Sequence, residues 1–419
     1  MTPAGRLPPQ DWMRAAGTRR VVEALTAEGA EVRFVGGCVR DALSGRPVKD
    51  VDLATPLPPE QVMRLLTAAG IKTVPTGLAH GTVTAVVHHK PFEITTLRED
   101  TETYGRHARV AFTDDWTADA ARRDFTFNAL SLAPDGTLFD PFGGAADLRA
   151  GRVRFVGDAR ARIREDYLRL LRFFRFQAHY GREPPDPAVL DITAELAPAL
   201  RRLSGERIRE ELFKLLRAPD PAPVIDLMIE RRIFRELLPV ADDAAVLGAL
   251  VRIEPGDAPP DPVLRLAAIL DAGQAEAQAP AQRLRLSKVQ RERLADLMTP
   301  PARVRIDLAP RDLRRVLYRL GAARVRDLLL LDAARRRAAG AAASEKPLAR
   351  RLDAALAETD AWRPVTFPLK GRDGLALGIA QGPELGRLLD RVEAWWADAD
   401  FRPSREDCLT RLRELIAAG

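Results

Sequence analysis

Cysteine and histidine are both scarce in this chain. Its 419 residues include two cysteines, Cys38 and Cys408, which lie near opposite ends of the sequence. Two thiols so far apart imply neither a disulfide framework nor a cysteine-based zinc cluster. All five histidines fall at or before His179. The rest of the chain therefore cannot contain a histidine-ligated metal site.

Long apolar runs are absent too. The first residues, MTPAGRLPPQDWM, lack the apolar core of a signal peptide, and no later run approaches the length of a membrane-spanning helix. Together with the few thiols, this predicts a cytoplasmic protein with no membrane partner.

The charge balance is mildly basic. Lysine and arginine number 65 against 59 acidic residues, a net charge of +6, and the pI is near 9.6. Arginine supplies most of the excess, and its planar fork of donors pairs two phosphate oxygens at once. The balance is compatible with nucleotide or nucleic-acid binding but does not require it.

The secondary-structure pattern changes along the chain. A chain of this length exceeds one hydrophobic core, so we expect about three domains. Up to about residue 140, strand patterns (EVRFVGG, KDVDLAT, GTVTAVVHH and FEITTL) alternate with a helix pattern, PEQVMRLLTAAG. From about residue 158, long helical periods such as ARIREDYLRLLRFFRFQAHY take over. The sequence predicts a mixed α/β head followed by an all-helical remainder.

Two aspartates in GGCVRDALSGRPVKDVDLAT form the first candidate site. If VKDVDLA is a strand, Asp50 and Asp52 project from the same face, because side chains at i and i+2 do so. Adjacent carboxylates repel unless a cation lies between them, and Mg²⁺ beside substrate phosphates is the usual partner. The alternative is a solvated turn, since Asp398 and Asp400 repeat the spacing.

The glycines before this pair favour the metal interpretation. Gly36 and Gly37 end a strand where a backbone can approach a ligand, and VRDAL then begins a helix. A helix start favours phosphate, and Arg40 adds a charged donor. Glu93, on a predicted strand that could lie beside the first, is the candidate third metal ligand; an edge glutamate facing water is equally consistent.

The segment EDYLRLLRFFRF carries a row of charges. Asp166, Arg169, Arg172 and Arg175 recur every third residue on a predicted helix that is otherwise apolar. Buried charges need partners, so we expect the row to line a pocket rather than form a solvated face. An Asp acceptor beside an Arg donor matches the edges of cytosine and adenine, and opposes those of uracil and guanine.

A further candidate pair lies in AARRDFTFNAL. Arg123 and Asp124 are placed at the start of a predicted short helix, where a ribose or triphosphate contact and a structural salt bridge are equally plausible.

Taken in order, these motifs resemble the class II tRNA nucleotidyltransferases, the CCA-adding enzymes, which share their head with bacterial poly(A) polymerase. The matching segments are GGCVRDALSGRPVKDVDLAT, HGTVTAV with FEITTLRED, RRDFTFNAL with DPFGGAADL, EDYLRLLRFFRF and LSGERIREEL. The resemblance implies a polymerase-beta-like nucleotidyltransferase head at residues 1–150, a base-recognising neck at 151–218, a body at 219–340 and a tail at 341–419, the last three all-α.

The same resemblance implies the chemistry. Asp50 and Asp52 would bind catalytic Mg²⁺, and the nucleotide would be held by a set of glycines, arginines and acids. The tRNA 3′-hydroxyl would attack the α-phosphate of CTP or ATP, and pyrophosphate would leave. The implied nucleotide-binding residues are Gly36, Gly37, Arg40, Arg123, Asp124, Asp166, Arg169, Arg172 and Arg175.

Several alternatives stay open at this point. Poly(A) polymerase is the nearest, although VPTGLAHGTVT replaces the basic segment expected there, and enzymes adding only CC or only A share these motifs. A non-catalytic RNA-binding protein and a D-x-D glycosyltransferase are more distant alternatives.

The predicted tail contains one further candidate site. Lys370 and Arg372 in a glycine-rich turn are candidate tRNA backbone contacts, with a simple helix hairpin as the alternative.

Overall fold

The computed structural model describes residues 1–104, 107–238, 242–256, 258–270, 278–340 and 345–418. The chain divides into two compact units, Met1–Leu237 and Leu238–Gly419. The four-part division predicted from the sequence is finer than this and stays a prediction. Its last boundary falls beside residues 341–344, which lie outside the described residues.

An eight-stranded mixed sheet forms the framework of the first unit. Its strands follow the order β1-β10-β9-β2-β3-β6-β5-β4, and β7 and β8 form a separate hairpin. The strands are β1 Pro3–Arg6, β2 Arg33–Val35, β3 Asp52–Thr55, β4 Lys72–Gly77, β5 Thr82–Val87, β6 Lys90–Thr96, β7 Arg98–Tyr104, β8 His107–Phe112, β9 Ser131–Leu132 and β10 Thr137–Phe139.

The centre of this sheet contains the strands that matter for the site. β3 pairs antiparallel with β2 and parallel with β6, so the predicted strands around Phe34, Leu53 and Ile94 lie side by side. All three side chains are fully buried.

Eleven α-helices belong to the first unit's described residues. The helix predicted at PEQVMRLLTAAG is confirmed over α4, with Pro59 in its first turn and Gly70 just beyond its end at a φ of +65°. The helices are α1 Asp11–Arg14, α2 Ala16–Thr26, α3 Gly37–Leu43, α4 Pro59–Ala68, α5 Trp116–Ala121, α6 Gly144–Ala150, α7 Ala159–Glu165, α8 Leu168–Tyr180, α9 Pro187–Leu196, α10 Gly205–Leu216 and α11 Ala222–Glu230.

Aromatic packing fixes α8 against the rest of this unit. Phe173, Phe174 and Phe176 are fully buried, and the Phe176 ring lies 5.1 Å from Phe125 and 5.2 Å from Phe127. On another side α8 packs against α10. The helix is therefore enclosed on most of its surface, as its apolar sequence predicts.

The second unit is helical throughout its described residues. The predicted change from a mixed head to an all-helical remainder is confirmed, since no described strand follows Phe139. The helices are α12 Ala245–Val251, α13 Pro262–Ile269, α14 Gln278–Arg283, α15 Lys288–Met298, α16 Pro310–Leu320, α17 Ala322–Ala338, α18 Glu345–Ala361, α19 Gly371–Leu375, α20 Pro383–Asp398 and α21 Arg405–Ala417.

The last two helices build a core with the preceding loop, centred on Val392, Trp396 and Leu412. Across the part of the chain that the structure describes, no helix combines the length and apolarity needed to cross a membrane.

Candidate active site

A cavity of about 470 Å³ lies between the sheet and α8. Every nucleotide-site residue predicted from the sequence lines it, and so do two of the three predicted metal ligands. The predicted residues in its lining are Gly36, Gly37, Arg40, Asp52, Glu93, Arg123, Asp124, Asp166, Arg169, Arg172 and Arg175.

Two acids project from the sheet side of this cavity. Asp52 is the first residue of β3 and pairs in parallel register with Glu93 on β6, so both carboxylates lie on one face of the sheet. The expectation that the strand of Glu93 lies beside that of Asp52 is confirmed. Burial, together with the negative charges of Glu93 and Asp50, raises the pKa of the Asp52 carboxyl to about 6, against a smaller lowering by the charge of Arg123.

The predicted strand around Asp50 is wrong at its start. β3 begins at Asp52, because its partner β2 ends at Val35 and Gly36 turns the chain away into α3. Asp50 is exposed and lines a neighbouring cavity, so shared strand geometry does not align it with Asp52. Its negative charge is one of the smaller contributions to the raised pKa of Asp52.

Gly36 and Gly37 make room for two arginines. Gly36 has a φ of +68°, which favours glycine, and a Cβ there would lie 3.4 Å from Arg123 Nη1. A Cβ at Gly37 would lie 3.7 Å from Arg40 Nη2. Because α3 spans only seven residues, these guanidinium groups rather than its dipole supply the positive charge.

Arg40 is held firmly in the cavity wall. Its Nε donates to Tyr180 Oη at 2.9 Å and its Nη1 to Asn128 Oδ1 at 2.8 Å. An ion pair of 2.9 Å joins it to Asp41, which also accepts a 2.6 Å hydrogen bond from Tyr180. The guanidinium group therefore has a fixed position, with Tyr180 as one of its supports.

Arg123 and Asp124 do not begin an α-helix. They follow α5 and precede a short 3₁₀ turn, Thr126–Asn128, so the predicted helix start is only this turn. Arg123 donates to Asp119 Oδ2 at 3.1 Å. Burial opposes ionisation of Asp119, but Arg123 and Arg122 outweigh it and lower the pKa of that carboxyl.

Asp124 faces α8 and is buried. It accepts hydrogen bonds from Arg172 Nε at 2.6 Å and Asn128 Nδ2 at 2.8 Å. Burial would raise its pKa, yet the charge of Arg172 and these hydrogen bonds keep the pKa below its ordinary value. Asp124 is therefore an ionised anchor for Arg172.

The charged row of EDYLRLLRFFRF lines the cavity, but Asp166 is not part of the helix. Asp166 has an extended backbone between α7 and α8, and its Oδ1 accepts from the N–H of Leu168, where α8 begins. The prediction that it continues the helical row is wrong, because its side chain bonds that first turn instead. Its Oδ2 accepts from Arg207 Nη2 at 2.7 Å.

Each arginine of the row has an acidic partner. Arg169 pairs with Glu165 and also donates to the carbonyl of Arg122 at 3.2 Å. Arg172 pairs with Asp124, and Arg175 Nε donates to the buried Glu211 at 2.6 Å. The row is thus fixed by neighbouring acids while still lining the cavity.

The two sides of the cavity differ in charge pairing. Among the described residues, the acids near the sheet, Asp50, Asp52 and Glu93, form no ion pair, whereas the acids around α8 are all paired. The sheet side therefore has carboxylates that are not engaged in ion pairs, and the helix side holds oriented guanidinium donors.

Some residues of the site were not predicted. Arg122, Asn128 and Arg207 line the cavity, and Tyr180 and Glu211 support its arginines. Arg207 and Glu211 share one face of α10 in the LSGERIREEL motif, and that spacing is a signal. Their partners, Asp166 and Arg175, are distant in sequence, and only the packing of α10 against α8 brings them into contact.

Lys370 and Arg372 lie elsewhere, in the second unit. The backbone N–H of Lys370 donates to Asp373 Oδ2 at 2.7 Å and begins α19, and both side chains are exposed. Their role in tRNA binding stays a prediction.

The acids near the sheet fit a metal that shares its ligands with substrate. Within the described ranges, no three His, Cys, Asp or Glu side chains are already arranged around a common metal position. Asp52 and Glu93 nevertheless supply adjacent oxygen donors, and their like charges outweigh the nearby charge of Arg123. Mg²⁺ typically takes one or two carboxylates and completes its octahedron with phosphate and water.

Comparisons with known proteins agree with this geometry. Residues 32–154 match the family model for the poly A polymerase head domain, and residues 185–245 match the model for a probable RNA and SrmB-binding site of polymerase A. The mouse mitochondrial CCA tRNA nucleotidyltransferase 1 is 35% identical over 402 residues, covering 95% of this chain and 90% of the mouse protein. The chain belongs to the CCA tRNA nucleotidyltransferase family.

Two comparisons with a bacterial enzyme extend this assignment. The CCA-adding enzyme of Geobacillus stearothermophilus is 40% identical over 212 residues, which cover 50% of this chain and 51% of that enzyme. The crystal structure of the Bacillus stearothermophilus CCA-adding enzyme in complex with CTP superposes with a TM-score of 0.73 at 27% identity, covering 95% of this chain and 96% of that one. The resemblance drawn from the motifs is confirmed, as is the nucleotidyltransferase head.

Proposed function

We propose that this protein adds C, C and A to the 3′ end of tRNA from CTP and ATP without a nucleic-acid template, releasing pyrophosphate. The observation that carries the proposal is a single cavity with bare carboxylates on one wall and oriented arginines on the other. Nucleotidyl transfer needs both, because charge develops on phosphate oxygens while a base must be selected.

In this proposal Asp50 and Asp52 bind Mg²⁺, with Glu93 as the candidate third ligand. Mg²⁺, when bound, helps to activate the attacking hydroxyl and offsets negative charge on the phosphates. The raised pKa of Asp52 supports its part, since the carboxyl lies among like charges that a cation would relieve. Asp50, which lines the neighbouring cavity, would join Asp52 as a ligand.

The triphosphate is held by Arg40 and Arg123. Both guanidinium groups are fixed by hydrogen bonds within the protein, so little side-chain freedom is lost when phosphate binds. Gly36 and Gly37 leave space in which phosphate oxygens can approach the backbone.

Base selection is assigned to Asp166 and Arg169. Each carboxylate oxygen of Asp166 accepts one bond within the protein and retains a lone pair for the exocyclic amine of C or A. Arg169 is oriented by Glu165 and donates to the adjacent ring nitrogen. Arg172 and Arg175 complete this wall, and Asp124 acts by positioning Arg172 rather than by contacting the nucleotide.

The test is incorporation into tRNA that lacks its 3′ CCA, with labelled CTP, ATP and Mg²⁺. Addition that stops after C, C and A supports the proposal. A long A-tract would identify the rival poly(A) polymerase. Products ending after CC would identify a CC-adding enzyme, and products formed only on tRNA already carrying CC would identify an A-adding enzyme.

A cytoplasmic location, suggested by the sequence, is part of the same proposal.

A further inference from the structure

A second cavity, of about 300 Å³, lies beside the candidate active site and shares no lining residue with it. It is formed where the loop after α3, helix α6 and the end of α8 meet. Its charged lining consists of Arg46, Arg149 and Arg182, with His179 beside them. None of the described residues in its lining is acidic.

These three arginines are oriented by backbone carbonyl groups. Arg46 donates to the carbonyl of His179, and its guanidinium carbon lies 4.1 Å from the centre of the Tyr180 ring. Arg182 donates to the carbonyls of Leu148 and Arg149. Arg149 Nε donates to the carbonyl of Ala145, one turn earlier in α6, at 3.2 Å. Carbonyl oxygens orient a guanidinium group without neutralising its charge.

Neighbouring arginines on the same surface are paired with acids. Arg152 pairs with Glu183 at 3.0 Å and with Asp147 at 3.3 Å, and Arg154 pairs with Asp147 at 2.8 Å. Within the described part of the chain, Arg46, Arg149 and Arg182 form no such pair. The local acids are used by arginines outside the cavity, and the cavity retains its positive charge.

The histidine in the lining adds no further positive charge. Burial lowers the pKa of His179, and the charges of Arg175 and Arg46 lower it further, so the ring is neutral near pH 7. A concave wall with three like charges raises the local concentration of anions.

The available chemistry selects phosphate rather than a base. The charged side chains that line the cavity are guanidinium donors, and the Tyr180 ring is already in contact with Arg46. The Ser44 hydroxyl donates to the carbonyl of Arg40, and His179 Nε2 bonds the carbonyl of Lys214. Arginine donors pair with phosphate oxygens in bidentate geometry, and such contacts position nucleic acid without reading its sequence.

We propose that Arg46, Arg149 and Arg182 form a binding site for a backbone phosphate of the tRNA substrate. This inference rests on the proposed function, because it takes tRNA as the partner. The position is suitable, since Tyr180 also hydrogen-bonds Arg40 of the active site, so RNA held here lies next to the reaction centre.

The experiment compares tRNA binding by the wild type and by the triple variant Arg46→Ala, Arg149→Ala, Arg182→Ala over a series of salt concentrations. Loss of one phosphate contact reduces the slope of log affinity against log salt by about 0.7–0.9. We expect that reduction, about a tenfold rise in Kd and KM for tRNA at low salt, and unchanged KM values for CTP and ATP. Incorporation at saturating tRNA should persist.

Two further variants serve as a matched control and as a single-site test. Arg152→Ala removes an arginine from the same surface that is already paired, and should leave the salt slope unchanged. Arg149→Ala alone removes an exposed side chain bonded only within its own helix, so it reports on the site even if the triple variant fails to fold. It should show a smaller shift in the same direction.

An unchanged salt slope and KM for tRNA in a folded variant would overturn the inference. So would weaker inhibition by pyrophosphate with unchanged tRNA affinity, because the site would then bind a small phosphate instead of RNA. Absence of incorporation by the wild type would contradict the proposed function, whereas tRNA affinity is read separately from the same titration. The two failures are therefore distinguishable.

Discussion

The two walls of the active-site cavity use carboxylates in opposite ways. On the sheet side, Asp52 and Glu93 lie side by side, and no arginine in the described parts of the chain forms an ion pair with either. On the helix side, Asp124 and Glu211 are buried, and each is bonded to an arginine. Residues of the same chemical type therefore serve two purposes: the first pair is available to a metal, and the second orients cations.

This difference follows from where each acid is placed. Paired register on parallel strands brings two carboxylates together, whatever the repulsion between them. The acids of the helix side come from different elements that pack against α8, and each meets an arginine of that helix. Substitutions on the two walls should consequently give different phenotypes.

The largest effect is expected for Asp52→Asn. Removing a metal ligand should lower kcat by about a thousandfold, equivalent to ~4 kcal/mol of transition-state stabilisation. Asp50→Asn should behave similarly, and Glu93→Gln tests whether that residue is the third ligand. Steady-state incorporation of CMP measures the effect, with tRNA affinity as the control that should not change. A mild defect in Asp52→Asn would mean that the sheet acids are not catalytic.

Asp124→Ala should instead reduce stability. It leaves Arg172 without its main partner at a partly buried position, at a cost of about 2 kcal/mol in the free energy of unfolding. Denaturant unfolding of the wild type, Asp124→Ala and Asp52→Asn measures this. Asp52→Asn should not be destabilised, because it removes charge repulsion. Equal destabilisation by both variants would erase the distinction between the walls.

Arg169→Ala should relax base choice. Loss of one charged donor is worth roughly 1.5–3 kcal/mol, so we expect at least a tenfold fall in the preference for CTP and ATP over UTP and GTP. The measurement is kcat/KM for each of the four nucleotides. Arg164→Ala, an exposed residue on α7 outside the cavity, is the matched control. Unchanged rejection of UTP and GTP would refute the role in base reading.

The metal-free protein should also show a pH dependence of stability. The folded-state pKa of Asp52 is about 6, above the ordinary value of 3.8, so the folded state binds more protons between these values. Stability should therefore fall as the pH rises from about 4 to 6, and Asp52→Asn should lack this loss. Thermal unfolding in chelator across that range tests it; a parallel profile in the variant would assign the titration to another group.

The sequence was sufficient to predict the change from a mixed α/β head to a helical remainder, and most of the residues that line the cavity. The β-rich segments around Phe34, Leu53 and Ile94 identified strands, and the strand of Glu93 was expected beside that of Asp52. The apolar surroundings of Arg172 and Arg175 identified a helix that lines a pocket. Both features are local patterns with a direct physical meaning.

The errors arose where a neighbour ended or redirected an element. Asp50 lies outside β3 because β2 ends at Val35, and Asp166 lies outside α8 because its side chain bonds the first turn of that helix. Partners distant in sequence, such as Arg207 for Asp166 and Tyr180 for Arg40, depend on packing that no single segment encodes.

Manganese binding tests the difference between the walls most directly. Mn²⁺, observed by electron paramagnetic resonance, would be titrated into wild type, Asp52→Asn and Asp124→Asn in the presence of a CTP analogue that cannot be transferred. We expect Asp52→Asn to lose the tight Mn²⁺ site and Asp124→Asn to retain it. Retention in Asp52→Asn, or equal loss in both variants, would contradict the assignment of metal to the sheet acids.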